Sequence, residues 1–269
     1  MPGAFGNARL PGTAAIAAPM LPVAMLPVSL LTVALLTVAL SIWGAAALAT
    51  PLSQSAPPPY RAGLAAPMPG GDLSTAEVPA TPPEIAAILT AARRQVGVTN
   101  RYDPAYTRLD FPGGDVPPDR GVCTDVLIRA LREGAQIDLQ LAVNRDMSAD
   151  FSAYPRSWGL KRPDSNIDHR RVPNLSTFLR RIGAEVPAGE GPEDFQPGDI
   201  VTMMLPGNLP HILLVSDKRT PDGQRPLVIH NIGAGAREED ALMRFPRTGH
   251  YRLNQAAMAT LRRLGQWEY

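Results

Sequence analysis

The order of the periodic segments limits the fold more than any other feature of this 269-residue chain. Between Thr81 and Gly183 apolar residues recur at helical spacing, and from Ile200 onward they fall in short β-type runs broken by turn signals. Thr81-Pro82-Pro83-Glu84 has the form of a capping box with proline at the first helical position. Ile85, Ile88, Leu89, Ala92 and Val96 then line one face as far as Gly97. A second helix opens at Cys123, with Val126, Leu127, Ala130 and Leu131 as its apolar stripe and Gly134 as its end. A third falls within 138–152 and a fourth runs from Pro173 to Ile182. The β-type runs are Ile200–Leu205, His211–Ser216, Leu227–Asn231 and Tyr251–Leu253, separated by turns such as Pro197-Gly198-Asp199 and Pro221-Asp222-Gly223. Helices first and strands afterwards predict an α+β domain over residues 81–254, its N-terminal helices packed on a C-terminal antiparallel sheet.

Ahead of that domain no charged residue stands between Arg9 and Arg61. Val28 to Ala49 is apolar, free of proline and long enough to span a bilayer, and it ends in Ala47-Leu48-Ala49, the small-x-small pattern that signal peptidase cuts. Residues 1–49 therefore read as a signal peptide or membrane anchor. The expected location is the periplasm or cell envelope, with inner-membrane attachment if the segment is retained. Residues 50–80, rich in Pro, Ala, Ser and Gly, hold too few large apolar residues to bury a core and read as a disordered tether. Residues 255–269 read as a C-terminal extension. With 26 Lys and Arg against 25 Asp and Glu, the chain lacks the basic excess that neutralises phosphates, which argues against a nucleic-acid partner. A single cysteine excludes an intrachain disulfide framework and every multi-cysteine metal centre, and no cofactor motif is present.

That cysteine, Cys123, opens a helix, where unpaired N–H groups and the positive end of the macrodipole favour a thiolate and can receive an oxyanion. A thiol nucleophile needs a base, and the four histidines, 169, 211, 230 and 250, all follow it in the chain. His211 opens one β-type run and His230 nearly closes the next, so antiparallel pairing of the two makes the imidazoles neighbours. A Cys123–His211–His230 line is the arrangement expected of nucleophile, base and orienting residue. Taken singly, each histidine is equally at home as a structural strand residue.

The stretch from Tyr102-Asp103-Pro104-Ala105-Tyr106 through GVCTDVLIRALR, RPDSNIDHRRVPNL, QPGDIV, HILLVSD, VIHNIGAG and GHYR resembles the bacterial family catalogued as domain of unknown function 1287. That family in turn resembles the NlpC-type cell-wall peptidases of the papain-like fold. The resemblance implies Cys123 as nucleophile, His211 as base and His230 as third residue, with Asn231 as runner-up for that role. At the cysteine the chain reads Val122-Cys123-Thr124-Asp125 where NlpC-type enzymes usually read Asp-Cys-Ser-Gly. The resemblance also implies an exported thiol hydrolase that cleaves an amide, with peptidoglycan stem peptide or another envelope peptide as substrate.

Tyr102, Tyr106, Asp125, Asn166, Asp168, His169, Arg170 and Asn231 are the candidate substrate-binding residues. The segment Arg162–Arg171 suits either bidentate capture of a substrate carboxylate through Arg170 or Arg171, or a structural knot of internal ion pairs. Two alternative functions stand beside the hydrolase. One is an envelope binding module of the same fold with an inert cysteine. The other is a metallohydrolase built on His169, Asp168 and one or more of His211, His230 and His250, against which no HExxH-type spacing occurs.

Overall fold

A computed structural model describes residues 80–266. The apolar run within 1–49 and, save Ala80, the Pro- and Ala-rich stretch 50–80 lie outside the described residues. Among the described residues no helix is long and apolar enough to cross a membrane. In chain order the elements are α1 (Pro83–Arg94), β1 (Arg101–Tyr102), β2 (Arg120–Gly121), α2 (Cys123–Ala135), α3 (Leu139–Ala149) and α4 (Val172–Arg181). There follow β3 (Ile200–Leu205), β4 (Leu209–Arg219), β5 (Pro226–Asn231), β6 (Ala236–Glu239), β7 (Arg247–Tyr251) and α5 (Gln255–Gly265). The last five strands form one antiparallel sheet in the order β6-β5-β4-β3-β7. The α+β architecture, helices ahead of an antiparallel sheet, is the one the sequence predicts.

Each face of the sheet buries its own apolar cluster, as period-2 alternation requires. Ile200, Ile212, Leu214 and Ile229 face the helices and join Leu89, Leu127, Leu131, Leu175 and Phe178 in the main core. Val201, Met203, Leu213, Val215 and Val228 point the other way, under Phe195, Ala241 and Leu242. Helices α1 and α2 pack so closely that a Cβ on Gly134 would stand 2.5 Å from the Ile88 Cα. Gly134 thus lies inside α2 as a helix-contact glycine, and α2 ends instead at Gln136 in the left-handed conformation (φ 58°).

Three further differences from expectation have local causes. Pro82, not Thr81, is the residue before α1, and no side chain caps it, so the capping box does not form while Pro83 keeps its place in the first turn. Asn254 caps α5 by accepting the Ala257 N–H at 2.9 Å, and Ala257, Met258 and Leu261 enter the core, so the fold continues through the segment read as an extension. Strand β6 is additional: its sequence, Ala-Arg-Glu-Glu, has no apolar alternation and pairs with β5 alone at the sheet edge.

Candidate active site

Cys123 is the first residue of α2, and its position is fixed from three sides. The Asp125 carboxylate, one turn in, accepts the Val122 N–H at 2.7 Å. Both oxygens of that carboxylate also accept from Arg170, Nε at 2.9 Å and Nη2 at 2.8 Å, a bidentate pair with side chains only 2% and 3% exposed. Burial works against the Arg170 charge, but Asp125, joined by the charges of Asp115 and Asp103, outweighs it and the guanidinium is held above its ordinary value. Thr124 Oγ1 donates to the Arg170 carbonyl, and Asn231 Nδ2 donates to the Gly121 carbonyl at 3.0 Å, tying the end of β5 to the residues ahead of the cysteine.

The thiol is buried, which decides its acidity. Loss of solvent pushes it up to about 11, against N–H groups of Ile212, Thr124 and Cys123 itself that favour the thiolate. The helix start alone predicts a lowered value; removing a sulfur anion from water costs more than these dipoles return. Cys123 is therefore a neutral thiol at neutral pH.

Antiparallel pairing brings His211 and His230 together as expected. His211 Nε2 and His230 Nδ1 are 2.8 Å apart, the rings edge to face. The line does not stop there, because His230 Nε2 meets Glu239 Oε1 of β6 at 3.0 Å. Burial lowers His211 to about 3, and it lowers His230 as well, partly offset by Glu239, so both imidazoles are neutral. His211 stands opposite Met203 and Glu239 opposite Val228, which places the line on the sheet face turned away from α1 and α2. Among the described residues no hydrogen bond joins the thiol to His211. The Ile212 N–H, one residue on from His211, acts on the thiol in favour of its anion, while the His211 ring is turned to the opposite face of β4. The β4–β5 ladder is paired from Leu214↔Ile229 upward and unpaired toward His211, where β4 stays paired to β3.

A groove of about 240 Å³ runs past Cys123, lined by Tyr102, Trp158, Arg170, Arg171 and Pro210 among others. Arg171 stacks over Trp158 at 4.1 Å. Tyr102 is 41% exposed, yet loss of solvent on its groove side, with smaller contributions from Asp125 and from Cys123 once ionised, pushes its phenol up to about 12. Of the predicted substrate-binding residues, Tyr102 and Arg170 line this groove, and Asp125 lies beneath it. Tyr106 and Asn166 bond to each other and to Asp164 instead, and Asn166 Oδ1 accepts the Leu109 N–H at 2.8 Å. Asp168 is spent on Arg171 and the Asp164 N–H. His169, 2% exposed and lowered to about 3 by burial, cannot touch a ligand in the groove, and Asn231 is fully buried. The charged segment is thus mainly a structural knot, with Arg170 and Arg171 its reach into the groove. His250 lies in another cluster, bonded to Asp199 at 2.7 Å, and among the described residues no three ligating side chains are grouped to hold a metal.

The model of the family described as domain of unknown function (DUF1287) matches residues 89–253, more than half of the chain. The chain belongs to that family. The match begins inside α1 and ends past β7, so it takes in every residue of the thiol, histidine and groove constellation. The chain is also 54% identical over 182 residues to the uncharacterized protein YijF of Escherichia coli (strain K12), covering 65% of this chain and 88% of that one. No solved structure matches.

Proposed function

We propose that this DUF1287 protein is a thiol hydrolase of the cell envelope that cleaves an amide bond, with peptidoglycan stem peptide as its substrate. The observation that carries the reading is that the one cysteine opens helix α2 beside a groove, in a chain whose adjacent strands hold a buried His211–His230–Glu239 line. With thiol and imidazole both neutral at rest, attack and proton transfer go together. The Cys123 sulfur forms a bond to the amide carbonyl carbon as its proton passes to His211, a transfer for which the His211 ring has to turn to the Cys123 side of β4. The carbonyl π electrons move onto oxygen, which the N–H groups at the start of α2 are placed to receive. Collapse breaks the C–N bond, His211 returns the proton to the departing amine, and water then hydrolyses the thioester.

Two features of the groove support a peptide carrying a carboxylate beside the scissile amide. Its charged lining residues are Arg170 and Arg171, each already paired below the groove with Asp125 or Asp168 while Nη1 of Arg170 has no partner among the described residues, and Tyr102 and Trp158 supply flat apolar walls. The burial of the thiol favours one rival, a binding module with an inert cysteine. Incubating the full chain with purified muropeptides separates the two. Hydrolysis that is lost in His211→Ala supports the hydrolase; binding without any mass change in the muropeptides supports the module and overturns the proposal.

A further inference from the structure

We propose that Glu239 is a positioning residue that fixes the protons of the histidine line, leaving Nδ1 of His211 without a proton. The role of that nitrogen as a base rests on the hydrolase reading; the proton pattern does not.

The argument follows from donors and acceptors. An ionised carboxylate only accepts, so the 3.0 Å contact from Glu239 Oε1 requires the proton of neutral His230 to be on Nε2. Nδ1 of His230 is then a bare lone pair, and the 2.8 Å contact to it requires His211 to donate from Nε2. A neutral imidazole has one N–H, so Nδ1 of His211 carries none. The reverse pattern would set two acceptors against each other at His230 Nε2 and Glu239. The strand geometry selects Glu239 over its neighbour. Glu238 faces α1, where it binds Arg93 through both oxygens, so alternation turns Glu239 to the histidine face. Arg244 acts on His230 against Glu239, which helps keep that ring neutral.

Nitrogen-15 spectra of the histidine rings in the full chain at neutral pH test this directly, with His211→Gln and His230→Gln variants giving the assignments. The expected result is protonated Nε2 and bare Nδ1 on both His211 and His230. Glu239→Ala should mix the two tautomers, and Glu239→Gln, whose side-chain oxygen still accepts, should restore the pattern in part. In amide hydrolysis Glu239→Ala should lower kcat with KM little changed, and glutamine should rescue it in part. A proton on Nδ1 of His211 in the wild-type spectrum overturns the proposal. So does an unchanged pattern in folded Glu239→Ala. Failure of every variant to hydrolyse an amide counts against the hydrolase reading, while the spectra still decide the proton pattern.

Discussion

Replacing Asp125 with alanine should destabilise the protein through two separable losses. The first is the buried ion pair: both side chains are almost fully enclosed, so alanine leaves the Arg170 guanidinium charged and without its partner. Breaking a buried pair from one side costs about 3–5 kcal/mol. The second is the Val122 N–H, which loses its acceptor at the start of α2, at about 1 kcal/mol. Against a typical domain stability of about 5–15 kcal/mol, Asp125→Ala should remain foldable but strongly weakened. Arg170→Met should lose a similar amount, because it strands the carboxylate. The double variant Asp125→Ala/Arg170→Met removes both charges and should be no worse than the poorer single variant. Urea unfolding followed by circular dichroism measures all three, with an unchanged slope showing that the midpoints are comparable. Additive losses in the double variant, or a single loss below about 1 kcal/mol, would refute the coupling assigned to this pair.

Other measurements bear on the remaining parts of the site. Because His211 is held near 3 and the thiol near 11, kcat/KM should stay flat through the ordinary imidazole value of about 6.5; a limb at that pH would contradict a neutral buried base. His169 and His211 bind protons at about 3 when folded and at about 6.5 when unfolded. The stability they contribute is therefore present above about 6.5 and lost as pH falls toward 3, and urea midpoints across that window should decline; a constant midpoint refutes the assignment. Gly134→Ala should lower stability by about 1–3 kcal/mol through the clash with Ile88, outweighing the roughly 1 kcal/mol that alanine gains in helix propensity. A higher urea midpoint would show that the α1–α2 contact relaxes freely.

What the sequence made legible was whatever leaves a periodic trace. The start of α2 at Cys123 and the neighbouring ends of β4 and β5 followed from apolar spacing and turn residues, and these carry the thiol, His211 and His230. Glu239 left no such trace, because an edge strand reading Ala-Arg-Glu-Glu looks like a loop until its pairing with β5 is known. The sign of the thiol shift was equally hidden. The helix start is local, whereas burial depends on β4 and on the loops carrying Tyr102 and Arg170, which meet Cys123 only in three dimensions. The polar segment 162–171 was visible as unusual, but its composition suits a ligand site and a knot equally. Only the internal bonds of Asn166 and Asp168 separate the two.

The central claim is that Cys123 forms a covalent bond to its substrate. Rapid quenching of the full chain with purified muropeptides, followed by intact-mass and peptide analysis, measures this directly. The account predicts a transient acyl adduct on Cys123 in the wild type, and neither adduct nor amide hydrolysis in folded Cys123→Ala. Muropeptide hydrolysis by Cys123→Ala at the wild-type rate would contradict it.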